Sequence, residues 1–181
     1  MVEDRIASFY SGGADDRGRT LERILAWPDE ELEAVHDYIQ WMFPTAARSG
    51  VNPSAPLVTD ATITAFRARP ELRDGLRRSL DRMLSFYGLR RTSDSGNVRI
   101  GIDESRFTGR ARVWLQPGNH NHLRLTRIMQ SLAALELMPE AQELRRCLIA
   151  DVYQGPGAGR ITRDTYEYWL DAVVSLETDG E

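Results

Sequence analysis

Two histidines, two arginines and two asparagines crowd the run Asn119-His120-Asn121-His122-Leu123-Arg124-Leu125-Thr126-Arg127. Imidazole titrates near neutral pH, so His120 and His122 could serve as general acid and base on a phosphorylated or nucleotide-like substrate. A metal site would need a further ligand, usually a carboxylate, and the run supplies none. Arg124 and Arg127 share one flank of the helix that this run opens. With the unbonded N–H groups of a helix N-terminus they could hold a carboxylate or a phosphate. An asparagine at the helix start would cap those donors. The competing reading is architectural: polar groups satisfied at a helix entrance, with the arginines paired to internal carboxylates such as Glu30, Glu33 or Asp37.

A second concentration of chemistry is aromatic. His36-Asp37-Tyr38-Ile39-Gln40-Trp41-Met42-Phe43-Pro44 packs three aromatics against a helix-stopping proline. With a step of about 100° per residue, Val35, Ile39, Met42 and Phe43 cluster with Leu32, and Tyr38 flanks them. Trp41 falls on the opposite side, beside Glu30 and Asp37. Either the segment is covered on both sides, with Trp41 under the loop of residues 44–58, or Tyr38 and Trp41 line a groove for a ligand.

Other reactive groups carry less. Cys147 is the only cysteine, so it forms no internal disulfide, and its place on an apolar helix face suits a buried inert thiol. Gly155-Pro156-Gly157-Ala158-Gly159 lacks the lysine and the preceding strand of a phosphate loop and reads as a linker. Neither a serine elbow nor an H-E-x-x-H pair occurs.

The elements that position these groups are helices. Ile6, Phe9 and Tyr10 suggest a short opening helix stopped by Gly12-Gly13. Thr20 caps a helix with Leu21, Ile24 and Leu25. Pro28 and the following acids start a helix expected to run to Phe43. Thr59 or Asp60 caps the next, and Pro70 opens a long one whose stripe ends at Tyr87 before Gly88. Residues 90–102 look like a mobile loop, with Val98, Ile100 and Ile102 permitting at most a minor strand near 97–102. Phe107, Ala111 and Trp114 favour helix over 103–115. Leu125, Ile128, Met129, Leu132 and Leu135 mark a helix over about 121–137. Pro139 starts another, and Tyr166, Trp169, Leu170 and Val173 mark the last. The expectation is an all-α single domain over 1–181, with about seven to nine helices and a core over about 9–176.

Composition sets the outer bounds. The chain has 181 residues, 41% hydrophobic, with a net charge of −4, which does not suit a protein that coats nucleic acid. All 23 basic residues are arginine, so lysine chemistry is excluded and a GC-rich, bacterial genome is expected. The acidic start is not followed by an apolar run, so no signal peptide is expected, and no stretch approaches a membrane span. The expected compartment is the bacterial cytoplasm.

The His36–Pro44 run resembles the H-x-Y-I-Q-W-L-F-P segment of the opioid growth factor receptor family. The His120–Leu132 run is similar to that family's H-N-x-L-R-I-T-R-I-x-x-S-L. Phe9-Tyr10, Thr20–Leu25, Asn52, Pro56-Leu57, Phe66, Met83–Gly88 and Leu135–Leu137 extend the resemblance from about Phe9 to Trp169. It implies a receptor-like domain. Animal members bind the pentapeptide methionine-enkephalin and restrain proliferation at the nuclear envelope and in the nucleus, which would allow peripheral membrane association. The resulting expectation is a non-catalytic domain that binds a peptide or small anionic ligand. Its candidate residues are Tyr38, Trp41, His120, Asn121, His122, Arg124 and Arg127, with no cofactor, metal or nucleic acid. An enzyme using His120 or His122, or a module for protein interaction, are the alternatives.

Overall fold

Side chains of Asp4, Thr20, Thr59 and Thr162 cap four of the described helices. In the computed structural model, which describes residues 4–173, the elements divide between two compact units. One comprises residues 4–80 with 134–136, and the other 81–133 with 137–173.

In the first unit Asp4 caps α1 (Arg5–Tyr10), and its other carboxylate oxygen accepts from Thr62 Oγ1 at 2.6 Å. Thr20 caps α2 (Leu21–Leu25), and Thr59 and Thr62 form a reciprocal capping box at α5 (Asp60–Ala68), each satisfying backbone donors that the first turn leaves open. Phe9, Leu32, Phe66, Leu72 and Leu76 are buried in this unit. The long α6 (Pro70–Tyr87) begins here.

The expected continuous helix from Pro28 to Phe43 is broken. α3 covers Asp29–Ala34, Val35 turns extended with φ −91° and ψ 136°, and α4 covers only Ile39–Met42. Side chains take the hydrogen bonds that a continuing helix would have used. Tyr38 Oη donates to Leu32 O at 3.1 Å, His36 Nδ1 lies 3.1 Å from Ala34 O, and Asn52 Nδ2 donates to Asp37 O at 3.1 Å. The carbonyls at the end of α3 are thereby satisfied without another turn. Asp37 itself is drawn outward by Arg19 at 2.8 Å and Arg17 at 3.2 Å. Arg19 is in turn gripped by the buried Asp15 at 2.7 Å. The apolar period ran through the break, so it gave no sign of it.

The second unit holds a β-hairpin where a mobile loop was expected. β1 (Leu89–Asp94) pairs antiparallel with β2 (Asn97–Ile102), from Leu89↔Ile102 to Asp94↔Asn97. Ser95 and Gly96 join them with φ of 49° and 85°. Two consecutive left-handed residues make a type I′ turn, whose twist matches that of the paired strands. The fold is therefore mainly helical with a small sheet, not all-α. Among the described residues there are ten α-helices, more than the seven to nine expected, partly because one expected helix became two.

Gly88 ends α6 with φ 74°, and a Cβ there would sit 2.6 Å from the Phe107 backbone; no other residue fits that conformation and that contact. Beyond it come α7 (Phe107–Trp114), α8 (Asn121–Ala134) and α9 (Met138–Arg146). α9 runs into a π-helix over Cys147–Tyr153, then a turn over the glycine-rich linker, then α10 (Arg163–Asp171). The hairpin rests on α9 and the π-helix, where Arg146 bonds Glu143, Asp151 and Ile100 O. Residues 174–176 of the expected core lie outside the described residues. No helix among those described is long and apolar enough to cross a membrane.

Candidate functional site

Asn119 builds the entrance to α8. Its Nδ2 donates to Val113 O at 2.9 Å, closing the end of α7, and its Oδ1 accepts from Asn121 N at 2.9 Å. The asparagine that caps at this helix start is Asn119. Asn121 is buried, and its Oδ1 accepts from Tyr87 Oη and from Arg124 Nη1, both at 3.3 Å. Arg124 is only 5% exposed. Arg127 is half-buried, and burial pulls its guanidinium pKa down. Asp37, one of the carboxylates expected to pair with these arginines, is instead held by Arg17 and Arg19.

His122 is the centre of an aromatic cluster. It is 2% exposed and lies edge-on to Trp114 at 6.4 Å and Trp169 at 5.7 Å. One ring nitrogen, Nε2, lies 2.9 Å from Trp114 O. A carbonyl only accepts, so Nε2 carries the proton and Nδ1 faces Thr165 Oγ1 at 3.5 Å. Trp169 Nε1 donates to His122 O at 3.3 Å, and Trp114 Nε1 donates to Tyr87 O at 3.1 Å. Burial lowers the His122 pKa; the Trp114 carbonyl opposes this, and His120 adds to it.

This lowering has a defined sign. Below the ordinary value of 6.5 the unfolded chain binds a proton that folded His122 refuses. Its contribution is full above that value and is lost as pH falls toward the depressed folded value. The expected slope is up to about 1.4 kcal/mol per pH unit. Denaturant titrations of wild type and His122→Gln between pH 5 and 7 should show the variant with the flatter dependence; equal slopes would assign the effect to other groups.

A cleft of about 180 Å³ opens beside this cluster, lined by Gly118, Asn119, His120, His122, Leu123, Thr126, Thr165 and Tyr168. Leu123 is 64% and Tyr168 58% exposed. Among the described residues only one other large apolar side chain, Val51, is comparably exposed, so two of the three meet at one place. Exposed apolar groups that converge on a concavity mark a contact surface more than scattered ones do. Sequence reasoning brought His120 and His122 to this place but missed Leu123, Thr165 and Tyr168. The available signal was Leu123, an apolar residue off the buried stripe of its own helix.

Tyr38 and Trp41 belong to the other unit and are enclosed. Tyr38 packs on Trp27 at 5.5 Å. Trp41, 1% exposed, packs on Phe9 at 5.5 Å with the Arg5 guanidinium 4.9 Å above its ring. Cys147 is buried, and burial, with the charge of Asp151, pushes its thiol up to about 12; the thiolate is absent at neutral pH. Among the described residues no group of three metal-ligating side chains converges.

The sequence model of the opioid growth factor receptor (OGFr) conserved region matches residues 19–179. The mouse opioid growth factor receptor is 34% identical over 173 residues, 92% of this chain and 26% of that protein. The human opioid growth factor receptor is 32% identical over 162 residues, 86% of this chain and 23% of that protein. Mouse opioid growth factor receptor-like protein 1 is 37% identical over 148 residues, 80% of this chain and 30% of that protein. The chain thus spans less than a third of the length of these relatives. No solved structure matches it significantly. Since the conserved region accounts for nearly the whole sequence, the chain belongs to the opioid growth factor receptor family.

Proposed function

We propose that the chain is a non-catalytic, receptor-like binding domain whose cleft between α8 and α10 receives an apolar side chain of a peptide. The observation that supports this most is the meeting of exposed Leu123 and Tyr168 over one concavity. At about 180 Å³ the cleft suits a single side chain; pockets for whole small molecules are typically about 300–1,000 Å³. His120 and Thr126 supply hydrogen-bonding groups at its wall. Arg127, four residues on from Leu123, puts a positive charge on that flank of α8, suited to a peptide carboxylate. The name of the relatives, receptors for a growth factor, agrees with a binding role.

Catalysis by His122 is disfavoured by its environment. A general acid or base must exchange protons with a reacting group. Here one ring nitrogen is committed to a backbone carbonyl, the other faces a threonine, and burial keeps the ring neutral.

Calorimetry tests the reading with two probes: methionine-enkephalin, and heptapeptides selected from a displayed library on the wild-type protein. Leu123→Glu should weaken binding at least about tenfold, a loss of about 1.4 kcal/mol. Because Leu123 is exposed, its far-UV spectrum should stay wild type. Arg127→Gln should weaken peptides with a free carboxylate more than their amidated forms. Unchanged affinity in Leu123→Glu for every probe that binds would remove the cleft as the site.

A further inference from the structure

We infer that β1 is a self-complementary sheet edge through which two copies of the chain pair into one four-stranded antiparallel sheet. The two-residue turn makes Asp94 and Asn97 a hydrogen-bonded pair, so bonded and unbonded pairs alternate down the ladder. The N–H and C=O groups of Arg91 and Ser93 consequently point away from β2. Among the described residues neither backbone nor side chain bonds these groups. The opposite edge differs, because Arg146 Nη2 donates to Ile100 O at 2.5 Å.

Three of the six edge residues, Arg90, Arg91 and Asp94, are charged, and charge ordinarily guards an edge against pairing; the other guards are missing. Leu89–Asp94 contains no proline and no bulge, and its register is unbroken. Thr92, Ser93 and Asp94 are exposed, as is Arg90. Arg90 makes no hydrogen bond or close ion pair among the described residues, its charge acting only at longer range on Asp103, and Asp94 bonds only the neighbouring Ser95 hydroxyl through its side chain.

The charges choose the occupant and the register. Arg90, Thr92 and Asp94 share one face of the strand. An antiparallel pairing centred on Thr92 brings Arg91 opposite Ser93 of the second copy, and their outward backbone groups bond reciprocally. The same register sets Arg90 of each copy against Asp94 of the other, and Thr92 against Thr92. Opposite charges and β-branched residues directly across a pair are both favourable. Centring on Arg91 would oppose two arginines, and centring on Ser93 pairs neither charge. Two-fold symmetry generates both Arg90–Asp94 pairs at once, as an isologous contact requires.

Sedimentation velocity on the full chain, from about 10 µM to about 1 mM, tests this. A concentration-dependent dimer that weakens with added salt is expected. Arg90→Glu alone and Asp94→Arg alone should each weaken it at least about tenfold, since like charges then oppose across both pairs. An equimolar mixture of the two variants should regain the dimer, because every acid again meets a base. Ser93→Pro removes an outward N–H, leaves the bonds to β2 intact and should leave a monomer. If a charge variant loses the wild-type far-UV spectrum, Ser93→Pro decides alone. A monomer throughout the range, a dimer indifferent to Ser93→Pro, or well-folded charge variants that stay monomeric when mixed would each overturn the proposal.

Discussion

Trp114→Ala is expected to cost about 4 kcal/mol of unfolding free energy, within the range for removing a buried tryptophan. The indole is fully buried and touches three rings, Tyr87 at 5.4 Å, Phe107 at 6.2 Å and His122 at 6.4 Å. Its loss leaves a cavity and strips the Tyr87 carbonyl of its Trp114 donor. A domain of ordinary stability has only about 5–15 kcal/mol in total, so the variant should unfold at much lower denaturant. Trp114→Phe restores most of the volume but not the N–H. The difference between the two variants isolates the hydrogen bond, expected near 1 kcal/mol. Urea titration followed by circular dichroism reads both. A loss below about 1 kcal/mol for Trp114→Ala would show that this cluster does not hold its unit together.

The second large effect lies in the first unit. Asp15→Ala should cost about 2–3 kcal/mol, the scale for losing hydrogen bonds to a buried charged group. The Asp15 carboxylate is wholly buried. It accepts from Arg17 N at 2.9 Å, Arg19 N at 2.8 Å and Arg19 Nε at 2.7 Å. Without it a guanidinium only 11% exposed keeps Asp37 as its ion-pair partner but loses a charge-assisted bond and its fixed position. Asp15→Asn keeps an oxygen for the backbone donors and should cost clearly less. The same network shapes the acid limit. Burial raises the Asp37 pKa, but the hydrogen bond and charge of Arg19 outweigh it, and the net shift is downward. That contribution is intact above the ordinary 3.8 and is lost as pH falls through the lower folded value. Acid titration of wild type against Asp37→Asn should show the variant with less loss below about pH 4.

Much of the helical framework could be anticipated from single residues. Thr20, Thr59, Pro70, Gly88 and Pro139 stand at or beside the helix ends where their chemistry puts them. The hairpin was harder, because Ser95-Gly96 is a weaker turn signal than Asn-Gly and its flanks are polar. The break after Ala34 left no trace in the apolar period, since the groups that bond the broken segment, Tyr38, Arg19 and Asn52 among them, do so through polar atoms that the period does not count. The π-helix was equally silent: Leu144, Cys147, Leu148 and Val152 fit an α-helical stripe just as well. At the candidate site, the histidines drew notice for their titration. Their titratable rings suggested chemistry, whereas His122 is an anchor for two tryptophans. The arginines suggested an open anion site, yet Arg124 is nearly inaccessible.

The interrupted run around Trp41 has one more consequence. An amphipathic helix turned toward water keeps a tolerant side, where letters drift freely over time. Here six successive residues, Tyr38 to Phe43, are all buried, because the bend between α3 and α4 surrounds the short helix with protein. Such a stretch has no silent positions, and every substitution in it is felt by some neighbour. Packing therefore constrains this run at each of those six positions, where an ordinary surface helix is constrained along one side only.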